Sequence, residues 1–157
     1  MVGEYRIHVL WGDMMNPNYN QTITVCNCLR AKDNANSTKD IWHMTVLHNC
    51  FYKNVIGQVE SGNGLKMSNA YTVRIPEFPT YLSYAEWCKL SEDDRKKHFT
   101  CRLDDIIVKG ECKEEITGAS PNTASEFLFR HKPDAFKVTA FSDNTSHRYG
   151  KHYRAGG

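Results

Sequence analysis

Apolar and polar residues alternate with a period of two in several short segments of the chain, which predicts half-buried β-strands. These segments cover residues 22–29, 41–47, 71–75 and 135–141, and a compact apolar run over 105–110, closed by glycine, predicts a further strand. No segment longer than about fifteen residues keeps the 3.6-residue period of an amphipathic helix. The pattern therefore indicates a mainly β protein, an antiparallel β-barrel or a sandwich-like fold, with two or three short helices.

The helices are predicted from capping pairs and from prolines. Ser83 precedes Glu86 by three residues and Ser91 precedes Asp94 by three, the spacing of an N-cap with its partner. These pairs predict helices over 83–89 and 91–97, as two elements or one bent one. A third helix is predicted over 123–131, where it follows Pro121 and ends before Pro133.

The first strand carries a C-x-C pair. Cys26 and Cys28 share a face of the predicted strand, while Ile23, Val25 and Leu29 lie on the other, so a thiolate metal site is geometrically allowed. No C-x-x-C pair accompanies them, and free cysteine packs as a small hydrophobe. We interpret both as small half-buried side chains, and we predict no metal site and no cofactor.

Chain length and local composition set the domain organisation. The 157 residues suit one domain. Residues 5–11 alternate like a strand, but the following stretch to residue 20 is rich in turn formers. We predict an N-terminal arm over 1–21, ordered on a partner, and a single β-rich domain over 22–157 with a basic C-terminal tail.

Charge and hydropathy narrow the range of partners. Twenty lysines and arginines against eighteen acids leave a net charge of +2, which argues against strong global attraction to nucleic acid or to an acidic membrane. No window approaches eighteen consecutive apolar residues, and the first fifteen residues carry charges where a signal peptide needs an apolar run. We expect a protein made in the cytoplasm, without a membrane partner.

The last fourteen residues form a local basic patch that contains no acid. One interpretation is a final hairpin with its turn at 142–145, the others a nucleic-acid contact and a dock for an acidic protein surface. Candidate interface residues from the tail and from the polar loop over 30–40 are Arg148, Tyr149, Lys151, His152, Tyr153, Arg154, Arg30 and Lys32.

Catalytic motifs are absent from the sequence. It contains neither G-x-S-x-G, nor H-E-x-x-H, nor a P-loop. Asp104 and Asp105 are adjacent and would point to opposite faces of a strand, which favours a turn before the 106–109 strand over a pair of catalytic carboxylates. We predict a non-enzymatic protein, with a metal-dependent hydrolase using histidine and aspartate as the enzymatic alternative.

The order of motifs suggests a family. The chain reads TITVCN at 22–27, HMTVLHNCFY at 43–52, YTVRIPE at 71–77, DDIIVKGEC at 104–112, FKVTAFSDN at 136–144 and a closing GKHYRAGG. In this order the motifs resemble a family of uncharacterised proteins encoded in the virion structural modules of phages and prophages of Gram-positive bacteria. The resemblance covers about residues 22–157 and carries no catalytic residue.

The resemblance implies a virion protein of the neck, similar to head completion, stopper or connector proteins, assembled in the bacterial cytoplasm. Such a subunit would form a ring with other copies of itself and contact the portal or adaptor and the tail or neck proteins, with packaged DNA nearby. The interface elements would be the N-terminal arm, the loops over 30–40 and 57–70, and the basic tail. Tail completion or termination and an OB-like single-stranded nucleic-acid binder are the alternatives.

Overall fold

The computed structural model describes residues 16–157, so most of the predicted arm over 1–21 lies outside the described residues. The strands are β1 Gln21–Leu29, β2 Ile41–Ser61, β3 Gly64–Pro76, β4 Ile106–Lys109, β5 Ala135–Lys137, β6 Ala140–Asp143 and β7 His152–Gly156. The helices are α1 Tyr84–Trp87, α2 Glu92–Arg95 and α3 Ala124–His131, with one 3₁₀ turn at Ala31–Asp33. The prediction of a mainly antiparallel β fold with short helices is confirmed.

The seven strands form one curled sheet in the order β5-β4-β1-β2-β3-β7-β6. Its two outer strands, β5 and β6, are separated in the chain by Val138 and Thr139 alone. The Val138 amide donates to the carbonyl of Asp105 at 2.8 Å, and the Thr139 amide donates to the carbonyl of Gly156 at 2.8 Å. One bent segment thus connects both edges, and the sheet curls into a half-barrel.

That bend corrects the prediction of one strand over 135–141. The chain pairs with β4 through Lys137 and with β7 from Ala140 onward. Phe136 and Val138 are buried, as predicted, whereas Ala140, predicted to point inward, is exposed. The alternation is broken because the segment changes its pairing partner at the bend.

The concave face of the sheet holds the main core, and α3 covers part of the convex face. The concave core consists of Ile23, Val25, Leu47, Cys50, Val73, Ile75, Phe99, Cys101, Ile107, Phe136, Val138, Tyr153 and Ala155. The convex layer packs Phe127 of α3 against Cys26, Ile106 and Val108. Because both faces of β1 are covered, Cys26 and Cys28 are fully buried and not half-buried as predicted.

The two capping predictions are confirmed, and the third helix begins with a cap of the same kind at Thr123. Ser83, Ser91 and Thr123 each accept a hydrogen bond from the backbone amide three residues later. The first two helices last only four residues, shorter than the predicted 83–89 and 91–97. No helix within residues 16–157 is long and apolar enough to cross a bilayer.

The stretch over 57–70, predicted as a loop, is a β-hairpin. β2 and β3 pair without interruption from Phe51↔Arg74 to Ser61↔Gly64. Gly64 takes a φ of 114°, which a residue with a side chain rarely adopts, and this lets two residues close the turn. The polar residues of this segment belong to a ladder in which few side chains are buried.

Candidate interaction surfaces

The hairpin extends beyond the rest of the sheet, and we call residues 54–61 and 64–71 the projecting hairpin. The pairing of β1 with β2 stops at Gln21↔Cys50, and the pairing of β7 with β3 stops at Thr72↔Gly156. Beyond these points β2 and β3 pair with each other, and among the described residues the one further main-chain partner is Gly157, which bonds Tyr71 at the base of the hairpin. Eight residues per strand give a two-stranded ribbon about 25 Å long.

One face of the projecting hairpin carries three large apolar side chains that are exposed, among polar residues. Ile56, Leu65 and Met67 are 72%, 66% and 60% exposed. The register places them on the face that carries Val73 and Ile75, both fully buried inside the half-barrel. We call this side the apolar face. This face is the outward continuation of the side of the sheet that lines the core. It extends beyond the core residues, such as Phe99 and Phe136, that cover that side inside the half-barrel.

The base of the projecting hairpin is fixed to the connection between α3 and β5. The Tyr71 hydroxyl donates to the carbonyl of Pro133 at 3.0 Å, and the Tyr52 hydroxyl donates to that of Asp134 at 3.1 Å. The Tyr71 ring also stacks on Phe136, with centroids 4.7 Å apart. These contacts set the direction in which the ribbon leaves the half-barrel.

A groove of about 700 Å³ lies between the 30–40 loop and the start of α3, above Trp42 and Leu128. Four of its five charged side chains form ion pairs, and Lys39 is the fifth. The Arg30 guanidinium lies 3.4 Å from Asp40 and 3.5 Å from Asp104, and the Lys137 ammonium lies 3.3 Å from Asp104. The charges on the rim of the groove are therefore mostly neutralised by each other.

The 30–40 loop is held in place by side-chain contacts. The Asp40 carboxylate accepts from the Ala31 amide at 2.8 Å, and the Tyr84 hydroxyl donates to Asp33 at 2.7 Å. Of the two candidate interface residues here, Lys32 is exposed and Arg30 is half-buried by its ion pairs. The structure thus separates these cations from the basic tail and gives only Lys32 a free charged end.

The interpretation of the C-terminal segment as a hairpin is confirmed, but its connection lies over 144–151 and not at the predicted turn over 142–145, because Ser142 and Asp143 pair with β7. β6 pairs with β7 in antiparallel register. The connecting loop begins at Asn144, and the Asp143 carboxylate accepts a hydrogen bond from the Thr145 amide at 2.9 Å. Tyr149 in this loop is 79% exposed, and the Arg148 guanidinium lies 5.5 Å from its ring centroid. Lys151 is exposed in the same loop.

The remaining tail candidates have different surroundings. Tyr153 lies in the core, stacked on Tyr81 at 3.9 Å, and burial raises its pKa to about 12. His152 is half-buried and shares hydrogen bonds with Asn144 and Gly150. Arg154 points outward from β7 and is exposed. The tail surface accordingly consists of Arg148, Tyr149, Lys151 and Arg154.

Sequence reasoning missed the role of Asp105. Asp104 does occupy the predicted turn, with a φ of 76°, but Asp105 is only 1% exposed. Its carboxylate accepts from the Cys28 amide at 3.1 Å, from the Asn27 side chain at 2.9 Å and from the Arg102 amide at 3.1 Å. Burial outweighs these donors and raises the pKa of Asp105 to about 6. Only the inward position of residue 105 in the strand pattern could have suggested burial.

The cysteines are single thiols packed in the core layers. Cys26, Cys28, Cys50 and Cys101 are buried and free, and burial raises the pKa of Cys28 to about 11. Within residues 16–157, no three histidine, cysteine or acidic side chains come together as a metal site. Both thiols of the C-x-C pair are buried, and Cys26 packs in the layer beneath α3.

The comparisons with known proteins give one match. The model of a family of unknown function, DUF6751, matches residues 18–157. No curated protein and no solved structure matches the chain.

Proposed function

The chain belongs to the family of unknown function DUF6751, and we propose that it is a non-enzymatic virion protein that forms a ring in the neck of a phage. In this proposal each copy contacts other copies of itself and joins the head or portal to the tail, as in head completion, stopper or connector proteins. The neck assignment rests on the order of sequence motifs set out above. The ring assignment is supported by the geometry of the projecting hairpin.

The projecting hairpin is the observation that carries the ring. A two-stranded ribbon is marginally stable in water by itself, and its apolar face exposes three large side chains on one side. Exposed apolar surface on a projecting element is typical of a site that another protein covers. A ring needs such contacts between unlike surfaces of successive copies. The projecting hairpin would supply one surface and the body of the next copy the other.

The experiment is electron microscopy of particles from a phage deleted for this gene, with and without a plasmid copy. We expect full or leaking heads separate from finished tails without the plasmid, and complete particles with it. Tails of irregular length on normal heads would instead assign the protein to tail termination. Intact infectious virions without the plasmid would contradict a structural role.

Binding to single-stranded nucleic acid is the second candidate, favoured by the exposed Tyr149 between Arg148 and Lys151. An aromatic ring beside cations suits base stacking with phosphate contacts. This function predicts binding to an oligonucleotide that weakens steeply with salt and that is lost in Tyr149→Ala. Binding that is absent at 50 mM salt would exclude it.

A further inference from the structure

The outer edge of β2 carries main-chain groups that point away from the sheet. Tyr71 of β3 exchanges both main-chain hydrogen bonds with Gly157, at 2.9 and 3.3 Å, so its amide and carbonyl point away from β2. In an antiparallel ladder the residue opposite, Asn54, then points its own amide and carbonyl away from β3. Because the register is regular, Ile56, Gln58 and Glu60 do the same.

Nothing within residues 16–157 pairs with this edge, which we call the open edge of β2. Natural edge strands are commonly protected by proline, by a bulge or by several charges. The open edge has no proline, and Glu60 is its single charge between residues 54 and 60. The ladder from Phe51↔Arg74 to Ser61↔Gly64 has no bulge. Such an edge is a template for an added strand.

Residues 16–20 lie next to the open edge, and the residues before them alternate in sequence as a strand does. Gln21 pairs with Cys50, and the Tyr19 ring lies 6.4 Å from the Phe51 ring, so the preceding chain starts beside the base of the projecting hairpin. Fifteen residues lie before the described part. Within them an apolar side chain stands at every second position, with no proline: Tyr5, Ile7, Val9 and Trp11.

A direct continuation of the β1–β2 pairing would not place residues 5–9 on the open edge of their own chain. If the Gln21↔Cys50 pairing continued, Trp11 would lie opposite Glu60, and residues 5–9 would pass beyond the turn of the hairpin. A turn also interrupts such a continuation, because the Tyr19 amide donates to the carbonyl of Asn16 at 3.1 Å. A neighbouring copy has no such restriction of register.

We propose that residues 4–11 of one copy add a β-strand to the open edge of β2 in a neighbouring copy. The added strand would turn the projecting hairpin into a three-stranded sheet with a hydrophobic face, the smallest arrangement that is stable independently. Its alternating apolar side chains would lie beside Ile56, Leu65 and Met67 on the apolar face. The proposal rests on the ring of copies proposed above and names the contact that links them.

Photo-crosslinking between labelled copies tests the contact. One population carries p-benzoylphenylalanine in place of Ile7 and heavy isotopes, and it is mixed before assembly with light wild-type chains. Trypsin cuts after Arg6 and Arg30 and after Lys53 and Lys66, so the two elements fall in separate peptides, 7–30 and 54–66. We expect crosslinks between the heavy first peptide and the light second peptide. Crosslinks within heavy chains alone, or only to other peptides, would overturn the proposal.

A matched pair of variants tests the main-chain pairing. Gln58→Pro removes one amide of the open edge without touching the β2–β3 ladder, whereas Gln58→Ala keeps that amide. We expect the proline variant to lose the heavy–light crosslink and to associate at least tenfold more weakly by mass photometry. The alanine variant should resemble wild type, and both should keep the wild-type melting temperature. Equal crosslinking of the two variants would contradict strand addition.

The two proposals fail in different ways. Rings that assemble and complement the gene deletion without the crosslink would leave the neck function intact and exclude strand addition. Crosslinked oligomers together with a deletion that leaves virions infectious would support strand addition and exclude the neck.

Discussion

The half-barrel and the projecting hairpin are built from the same two strands in different surroundings. Within the half-barrel, Val73 and Ile75 of β3 are fully buried. Leu65, ten residues before Ile75 on the same strand and on the same face, is 66% exposed. The antiparallel pairing with β2 is regular across both regions. The regions differ in whether other parts of the chain lie against that face, and the hairpin also carries more polar residues on it.

This difference shows what the strand pattern does and does not determine. Alternation selects which side chains share a face, and it does so equally in both regions. Cover for that face comes from distant parts of the chain, such as Phe136 and Phe99 in the half-barrel. The projecting hairpin has no such cover within residues 16–157 and is held by its base, through Tyr71 and Tyr52. Stability should therefore depend on the first region and association on the second.

The largest effect is expected from one substitution made in both regions. Ile75→Ala removes a fully buried side chain and should lower the free energy of unfolding by about 2–5 kcal/mol. Ile56→Ala replaces the same residue type on the same face, where the side chain is 72% exposed. It should change the free energy of unfolding by less than about 0.5 kcal/mol. Urea denaturation of the dilute monomer measures both values. A large loss of stability in Ile56→Ala would show that the apolar face is covered within one chain.

The half-barrel also contains a buried polar group, the carboxylate of Asp105. Asp105→Ala leaves the amides of Cys28 and Arg102 and the side chain of Asn27 without their buried acceptor. We expect a loss of about 2–4 kcal/mol at pH 5 by urea denaturation, because unsatisfied buried donors are costly. Asp104→Asn is the control. Asp104 is exposed, and asparagine, like aspartate, tolerates the φ of 76° found there, so this variant should keep the stability of wild type.

The effect of Asp105→Ala should also depend on pH. The folded pKa of Asp105 is about 6, above the ordinary aspartate value of about 3.9, so the folded state holds this proton more tightly. Its contribution to stability is then greatest below pH 4 and falls, by about 3 kcal/mol, as pH rises through 6. The stability difference between wild type and Asp105→Ala should shrink over that range. A difference that grows with pH would contradict the raised pKa.

Two glycines give a smaller contrast. A Cβ on Gly157 would lie 2.5 Å from the Lys137 carbonyl oxygen and from the Phe136 ring. Gly157→Ala should therefore lower the free energy of unfolding by about 1–3 kcal/mol. Gly62, in the turn of the projecting hairpin, has nothing within 4 Å of the corresponding position. Thermal unfolding of Gly62→Ala should match wild type, and equal losses in both variants would contradict the tight packing at Gly157.

Local sequence signals predicted most of the fold. Alternation found β1, and the compact apolar run over 105–110 found β4. The capping residues Ser83 and Ser91 located two helices, and Pro121 and Pro133 located the third. These local signals failed where contacts between distant parts of the chain decide burial or strand pairing. The burial of Cys26 depends on α3, about one hundred residues away in the chain, and the break after Lys137 depends on pairing with β7.

The candidate surfaces were less predictable for the same reason. The tail was correctly identified as a hairpin, yet its pattern of bases and aromatics could not show that Tyr153 stacks on Tyr81 inside the core. Polar residues and glycines made 57–70 look like a loop, because they are compatible with an exposed ladder as well as with a turn. The open edge of β2 follows from where the neighbouring strands end, which no local pattern encodes.

The smallest effect on stability is expected from reversing the charge of the exposed tail. Replacing Arg148, Lys151 and Arg154 together by glutamate should change the free energy of unfolding by less than about 0.5 kcal/mol, because exposed charges contribute little. Arg154 also lies directly opposite Arg74 in the β3–β7 ladder, so a glutamate there would relieve a like-charge pair. If the tail contacts neck partners or DNA, particle yield should nevertheless fall at least tenfold in a complementation assay.

A second triple variant separates the tail from charge in general. Lys89, Lys96 and Lys97 are exposed near α1 and α2, and their replacement by glutamate changes the net charge by the same amount. This control should retain the particle yield of wild type. Equal yields from the two variants would exclude the tail as a contact surface and would leave the projecting hairpin as the region on which assembly depends.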